Sequence, residues 1–313
     1  MQGANQKKVK RVWTDDEIEQ ECKNFDQKIE EAKKTEGDTE IRDLITDKAK
    51  FLKNDAMDYP AAEKVFREAY EKTGGASRKM EILFEILFMN LEKLDIESVK
   101  KDIGTCRLLV TDGADWDKKN KLKIFEGAYF MMIRDFASAA KNFMSSTATF
   151  TCTELMEYKD FAFYTVVTSV MTQDRKTLRK EIIHSPDILA VIREIPYLRQ
   201  FSDSLFYCDY RSFFEAFVEI IDRMKKDHYL DQHVHFFAKE MRLVAYKQFL
   251  ESYKSVTIEN MAAAFGVGSE FLDKELSAFI YQGRVNCKID KVSGIIESNR
   301  PNKKVEAFQG CVK

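Results

Sequence analysis

Apolar residues recur along most of this chain at intervals of three and four, the period of helices that bury one face. Over residues 14–34, Ile18, Cys22, Phe25 and Ile29 fall 4, 3 and 4 apart among Glu, Gln and Lys. That spacing predicts a charged helix with a single apolar stripe, broken at Gly37-Asp38. A larger period then sets in. Asp58-Tyr59 leads to Ala62 and Phe66, Asp95-Ile96 to Val99 and Ile103, and Asp135-Phe136 to Ala139 and Phe143. Asp174-Arg175 leads to Leu178 and Ile182, and Asp209-Tyr210 to Phe213 and Phe217. The units start 37, 40, 39 and 35 residues apart, with apolar residues four and eight positions after each Asp. Such a period marks helix–turn–helix repeats that stack into a solenoid. Each Asp stands where a helix begins, able to accept from the unbonded first amides and to favour the positive helix end.

The first repeat spells this out. Pro60 suits an opening helical turn, where its missing N–H would have no partner. Ala62, Val65, Phe66, Ala69 and Tyr70 form the apolar face, and Gly74-Gly75 ends the helix. The partner helix over 79–94 packs through Leu83, Ile86, Leu87, Asn90 and Leu94, and residues 111–117 read as a turn before a helix over 121–133. In the fourth unit Arg175 replaces the apolar residue after Asp, so that helix is expected to start differently. Pro186 and Pro196 punctuate the chain before helices over 211–226 and about 230–253, the second joining the repeats to the C-terminal segment without a flexible linker.

The pattern changes after residue 255. Thr257 reads as the cap of a short helix burying Ile258, Met261, Ala262 and Phe265; Gly266 and Gly268 permit a tight reversal. Ser269 reads as the cap of a second helix with Leu272, Leu276, Phe279 and Ile280 inward, ended by Gly283. Val285, Cys287 and Ile289 then alternate with Arg284, Asn286 and Lys288, the period of a half-buried strand, and 294–298 reads as its hairpin partner. Helix, turn, helix and hairpin spell a winged helix. The expected fold is mostly α: a right-handed, TPR-like helical-repeat solenoid followed by a C-terminal winged helix. Its parts are a disordered basic tail over 1–13, N-terminal helices over 14–50 and repeats over 51–210. A helical linker and winged helix come next, over 211–300 (winged part 255–300), then a short tail over 301–313.

Composition narrows what this architecture can do. The 313 residues are 44 % apolar with 4 Pro and 12 Gly, which suits long helices around a real core. With 50 basic and 52 acidic residues the formal charge is −2, so no strong pull toward nucleic acid or anionic lipid is expected. Six scattered cysteines form no close pair and suggest inert thiols in a reducing compartment. The polar, basic start carries no signal peptide. The longest uncharged run, 161–173, is short of the ~18 apolar residues of a membrane span. Lys7-Lys8-Val9-Lys10-Arg11 reads as a solvated basic tail or, alternatively, an import signal.

A winged helix that reads DNA places basic or amide side chains on its second helix. Here that helix carries Glu270, Asp273 and Glu275 against Lys274, a local charge of −2, and only the wing offers Arg284, Lys288 and Lys291. Docking to a protein, by pairing the wing edge or packing helices, is the stronger expectation. No phosphate loop, GxSxG or HExxH motif occurs. His233 and His235 would point about 200° apart on a helix. The pair is similar to the His-x-His of metalloprotease deubiquitinases, but Leu243 and Tyr246 stand where that class needs Ser and Asp. Neither catalysis, metal nor cofactor is expected, and neither small molecule nor membrane is an expected partner.

Specific wording sharpens the picture. Glu240-Met241-Arg242, Leu250-Glu251-Ser252-Tyr253, Met261-Ala262 with Ala264-Phe265-Gly266-Val267-Gly268, and Gly283-Arg284 with Cys287-Lys288-Ile289-Asp290-Lys291-Val292 resemble the proteasome-lid branch of the PCI family. Asp115-Trp116-Asp117, Ile133-Arg134-Asp135-Phe136 and Asn299-Arg300-Pro301 extend the likeness over roughly residues 12–301. The resemblance implies a non-catalytic scaffold in cytoplasm and nucleus whose assembly acts on ubiquitylated proteins. It implies winged helices side by side in a horseshoe with solenoids splayed outward. The implied partners are other PCI subunits of the lid and, through the assembly, the lid deubiquitinase and the ATPase ring. Its candidate protein interface is Arg284, Val285, Asn286, Cys287, Lys288 and Ile289 of the wing, with Glu270 and Lys274 of the second helix. A signalosome subunit 1-like scaffold has the same architecture and stays the alternative, with nucleic-acid binding behind it. The family continues past the wing into a long amphipathic helix, whereas 302–313 contains Gly310 and no helical stripe. This reads as a truncated or divergent form that keeps side-by-side contact and weakens bundle-driven assembly.

Overall fold

The computed structural model describes residues 13–35, 37–111, 113 and 115–298, so the basic tail and the segment after the wing lie outside the described residues. Two compact units are present. Among the described residues one runs to Ile133 and also takes Thr149–Leu155; the other holds Arg134–Ala148 and everything from Met156.

The first unit contains α1 (Asp15–Thr35), α2 (Asp38–Asn54), α3 (Tyr59–Lys72), α4 (Ala76–Glu92), α5 (Ile96–Thr111) and α6 (Trp116–Met132). Each helix packs on its successor, and α4 also packs on α6, the next-but-one contact expected of stacked hairpins. The helix placed over 121–133 starts five residues earlier, at Trp116, because Asp115 rather than the turn's end serves as its N-cap. Asp102, with its side chain 3 % exposed, joins three helices: it accepts from Arg67 Nη1 and Nη2 at 3.3 Å each and from Asn90 Nδ2 at 3.2 Å. A buried carboxylate is tolerated only with such partners.

The second unit contains α7 (Phe136–Ser146), α8 (Tyr158–Thr172), α9 (Arg175–Leu178), α10 (Pro186–Ile192), α11 (Leu198–Tyr207), α12 (Tyr210–Met224) and α13 (Val234–Leu250). After them come β1 (Ser255–Thr257), α14 (Ile258–Phe265), α15 (Ser269–Tyr281), β2 (Cys287–Asp290) and β3 (Ile295–Ser298). Every residue of α8 from Phe161 to Val170 is buried, which explains why that run carries no charge: α7, α10, α11 and α13 all pack on α8.

The repeat signature has a direct physical counterpart. The carboxylates of Asp58, Asp95, Asp135 and Asp209 accept from the amides of Ala61, Ser98, Ser138 and Ser212 at 3.1, 3.2, 3.1 and 3.3 Å. The residues four and eight positions on are buried throughout, except Leu178, which is half-buried. Just before each of those four aspartates stands a left-handed residue that is not glycine: Met57, Leu94, Arg134 and Cys208, with φ of 56°, 57°, 67° and 65°. At Leu94 and Cys208 this closes the preceding helix, with Asp95 N donating to Asn90 O and Asp209 N to Ser204 O. The fourth unit lacks the device. Gln173 is extended, and α9 runs only four residues before continuing as a π-helix over Arg179–Ile183.

Candidate protein interface

The winged module is built on α12 and α13. Thr257 Oγ1 accepts from Asn260 N at 3.3 Å and caps α14; Gly266, at φ 67°, ends it in the left-handed conformation that a Cβ would strain. Two sequence expectations shift here. Gly268, not Ser269, is the N-cap of α15, and Gly268 has an ordinary extended backbone, so only Gly266 needs its freedom. The wing is a three-stranded antiparallel sheet in the order β1-β3-β2, with Val256 opposite Ile296 and Ile289 opposite Ile296 on the other side. β1 is invisible to pattern reading: three residues are too few to alternate, and tertiary pairing makes them a strand.

Phe265, 1 % exposed, anchors the module. Its ring centroid lies 4.8 Å from that of Tyr210, 5.1 Å from Tyr246, 5.3 Å from Phe249 and 5.4 Å from Phe214. On the flank, Glu275 of α15 accepts from Arg242 Nε at 2.7 Å and from the Tyr246 hydroxyl at 2.8 Å, both on α13. Burial and then the Glu275 charge push the Tyr246 phenol well above its ordinary range.

The eight candidate residues fall into distinct places. Arg284 is turned onto α13, where its Nη1 and Nη2 reach Glu240 at 2.8 and 2.6 Å. Val285 and Cys287 point into the module core at 7 % and 5 % exposure, and Ile289 is half-buried. Asn286 and Lys288 are exposed, Lys288 on the outer strand β2, which pairs with β3 alone. Glu270 and Lys274 are exposed on α15 and pair with each other at 2.7 Å. On the same face, at spacings of three and four, stand Phe271 and Tyr281, 49 % and 93 % exposed. That second stripe, Phe271-Lys274-Ala278-Tyr281, was present in the sequence but hidden behind the stronger buried one.

The acidic-helix argument also changes in kind. Glu275 is occupied by Arg242, and Asp273 accepts from Lys291 at 3.3 Å, so much of the apparent negative charge is neutralised. Two of the three wing cations are occupied as well, Lys291 by Asp273 and Arg284 by Glu240. Lys288 is left without a carboxylate partner among the described residues, too little for a phosphate-tracking surface.

His233 is buried at 5 % and its Nδ1 accepts from Arg134 Nε at 3.3 Å, whereas His235 is exposed. His233 is thus a packing group against Phe136. Among the described residues no group of three His, Cys, Asp or Glu could hold a metal ion, and no helix is long and apolar enough to cross a membrane.

Comparison with known proteins accords with this architecture. The family described as 26S proteasome subunit RPN7 matches residues 9–181, and the PCI domain matches residues 218–300. The chain is 42 % identical over 295 residues to the 26S proteasome non-ATPase regulatory subunit 6 homolog of Arabidopsis thaliana, covering 94 % of this chain and 76 % of that one. It is 41 % identical over 296 residues to the rice protein of the corresponding name (95 % and 76 % covered). With that of Dictyostelium discoideum the identity is 40 % over 306 residues (95 % and 80 %).

Proposed function

Since the chain belongs to the 26S proteasome subunit RPN7 family and carries its PCI domain, we propose that it is a non-catalytic scaffold of the proteasome regulatory-particle lid, supporting ubiquitin-dependent degradation by PCI-mediated assembly. The observation that carries this reading is a winged module in which two of three wing cations are tied up in internal ion pairs while an outer strand and an aromatic helix face stay exposed. Its partners are the PCI subunits of the lid, and through them the deubiquitinase and the ATPase ring, in cytoplasm and nucleus. Contact runs along the β2 edge, where Asn286 and Lys288 face outward while Val285, Cys287 and Ile289 contribute backbone. It continues over α15 at Glu270, Phe271, Lys274 and Tyr281. Arg284 acts indirectly, holding the wing to Glu240.

The test is sedimentation of the full chain with lid subunits. Wild type is expected in a lid-sized complex. The Lys274→Glu/Tyr281→Glu double variant, altered at exposed positions, is expected to melt like wild type and shift to lighter fractions. Absence of wild type from any such complex would overturn the scaffold reading, and an undiminished double variant would overturn the α15 surface. Salt-sensitive duplex binding by the full chain would instead favour a nucleic-acid reader.

A further inference from the structure

A cavity of about 380 Å³ lies in the first unit, between side chains of α2, α3, α4 and α6 and of the segment Thr149–Leu155. That volume falls in the range of small-molecule sites, about 300–1,000 Å³. Its apolar lining is recessed, Phe66 and Ile82 being 0 % and 5 % exposed, so recognition there is polar. Five cations line it, Arg42, Lys50, Arg78, Lys118 and Lys121, against four carboxylates, Asp43, Glu81, Glu85 and Glu154. None of these residues belongs to the winged module, so the scaffold reading is not at stake.

The charges are matched unevenly. Every carboxylate has a cation: Asp43 accepts from Arg42 at 2.6 Å, Glu85 from Lys53 at 2.5 Å, Glu154 from Lys121 at 2.5 Å, and Glu81 from Lys118. Lys50 and Arg78 are exposed and have no carboxylate partner among the described residues. Each ion pair also engages a single carboxylate oxygen, Oδ1 of Asp43, Oε1 of Glu81 and Oε2 of Glu85 and Glu154. The second oxygen of each remains an acceptor. A cationic ligand would therefore meet carboxylates already neutralised and two repelling side chains, and an apolar one would dehydrate charges without pairing them. The complementary ligand carries about two negative charges and several hydroxyl donors.

We propose that this cavity binds a small sugar phosphate. A phosphate monoester carries about −1.5 to −2 at neutral pH, matching the charges of Lys50 and Arg78. Arg78 supplies the planar fork that suits phosphate oxygens and Lys50 a point charge. The sugar hydroxyls donate to the second oxygens of the paired carboxylates. An acidic peptide meets the cations with singly charged groups and brings no hydroxyls to those oxygens, so it fits less well. Because the lining comes from α2, α4 and α6 together, occupancy stabilises the first unit by mass action.

The experiment titrates the full chain at neutral pH and low salt with glucose 6-phosphate and ribose 5-phosphate, by calorimetry and by thermal shift. Glucose, ribose, inorganic phosphate and an oligoglutamate peptide are the comparison ligands. A hydrogen bond to a charged group is worth about tenfold or more in affinity. Saturable binding of at least one ester is therefore expected, at least about tenfold tighter than its parent sugar or inorganic phosphate, with a midpoint that rises with ester concentration. Lys50→Ala and Arg78→Ala are each expected to weaken it about tenfold, while Lys100→Ala, an exposed cation of α5 outside the cavity, leaves it unchanged. Absence of saturable binding by both esters overturns the proposal. So does inorganic phosphate or oligoglutamate binding as tightly as the esters, or affinity that neither cavity substitution alters. Should a cavity variant fail to fold, a salt titration of wild type decides: ester affinity that falls as salt rises supports the site, and affinity independent of salt refutes it.

Discussion

Replacing Phe265 by alanine tests whether the winged module is held by an aromatic cluster rather than by its surface ion pairs. The ring is 1 % exposed and touches four aromatic rings from α12 and α13 at centroid distances of 4.8 to 5.4 Å. Truncating a buried Phe removes its transfer free energy and leaves a cavity, together about 3–5 kcal/mol. Ring pairs add about 0.5–1.5 kcal/mol each beyond area, though rings sharing one partner are not additive. The upper half of the range is therefore expected, because rigid rings on two long helices cannot collapse into the space. For a unit of this size each kcal/mol moves the midpoint by about 2–4 °C, so thermal unfolding is expected about 8–20 °C lower. Urea denaturation, with hydrogen exchange resolving α14 and α15 separately from α3 to α6, is the appropriate assay, since the chain has two compact units. Phe265→Leu, keeping most of the volume, is expected to cost under about 1.5 kcal/mol. A loss below 1 kcal/mol for Phe265→Ala, judged against the roughly 3 kcal/mol floor of such truncations, would refute the anchoring role.

Other contacts give further outcomes. Glu275→Ala leaves Arg242 and the Tyr246 hydroxyl unpaired beneath α15 and is expected to cost about 2–4 kcal/mol by denaturation. Arg284→Ala, at the more exposed pair with Glu240, is expected to cost about 1 kcal/mol or less. Met57 sits at φ 56° and is 56 % exposed, so Met57→Gly relieves left-handed strain of about 1–2 kcal/mol against an entropic loss of about 0.5–1; its midpoint is expected to rise slightly, whereas Arg134→Gly, which also loses His233 and Phe236, is expected to fall. Asp95 is held below its ordinary 3.8 by the Ser98 hydroxyl and amide. Its contribution is present above the unfolded value and lost as pH falls through the lower folded one, so Asp95→Asn is expected to flatten the acid limb of the stability profile there.

The sequence by itself determined which faces are buried and where the helices that open four of the repeats begin. The Asp-x-x-x-apolar-x-x-x-apolar register needs only local amides and a 3.6-residue period, and both are present in four of the five units, the exception being Asp174, whose helix passes into a π-helix. The family was legible for the same reason, since the wording around Phe265 and Gly283 encodes core and turn positions. Tertiary structure decided the rest. It made a strand of Ser255–Thr257, put left-handed Met57, Leu94, Arg134 and Cys208 where no glycine signals them, and split the run of repeats at Ile133. Above all it decided charge. In the sequence Glu275 repels phosphate and Arg284 attracts it; in the fold each is bound to a partner 33 or 44 positions away, and an ion pair between distant positions exists only once the helices that carry it have packed.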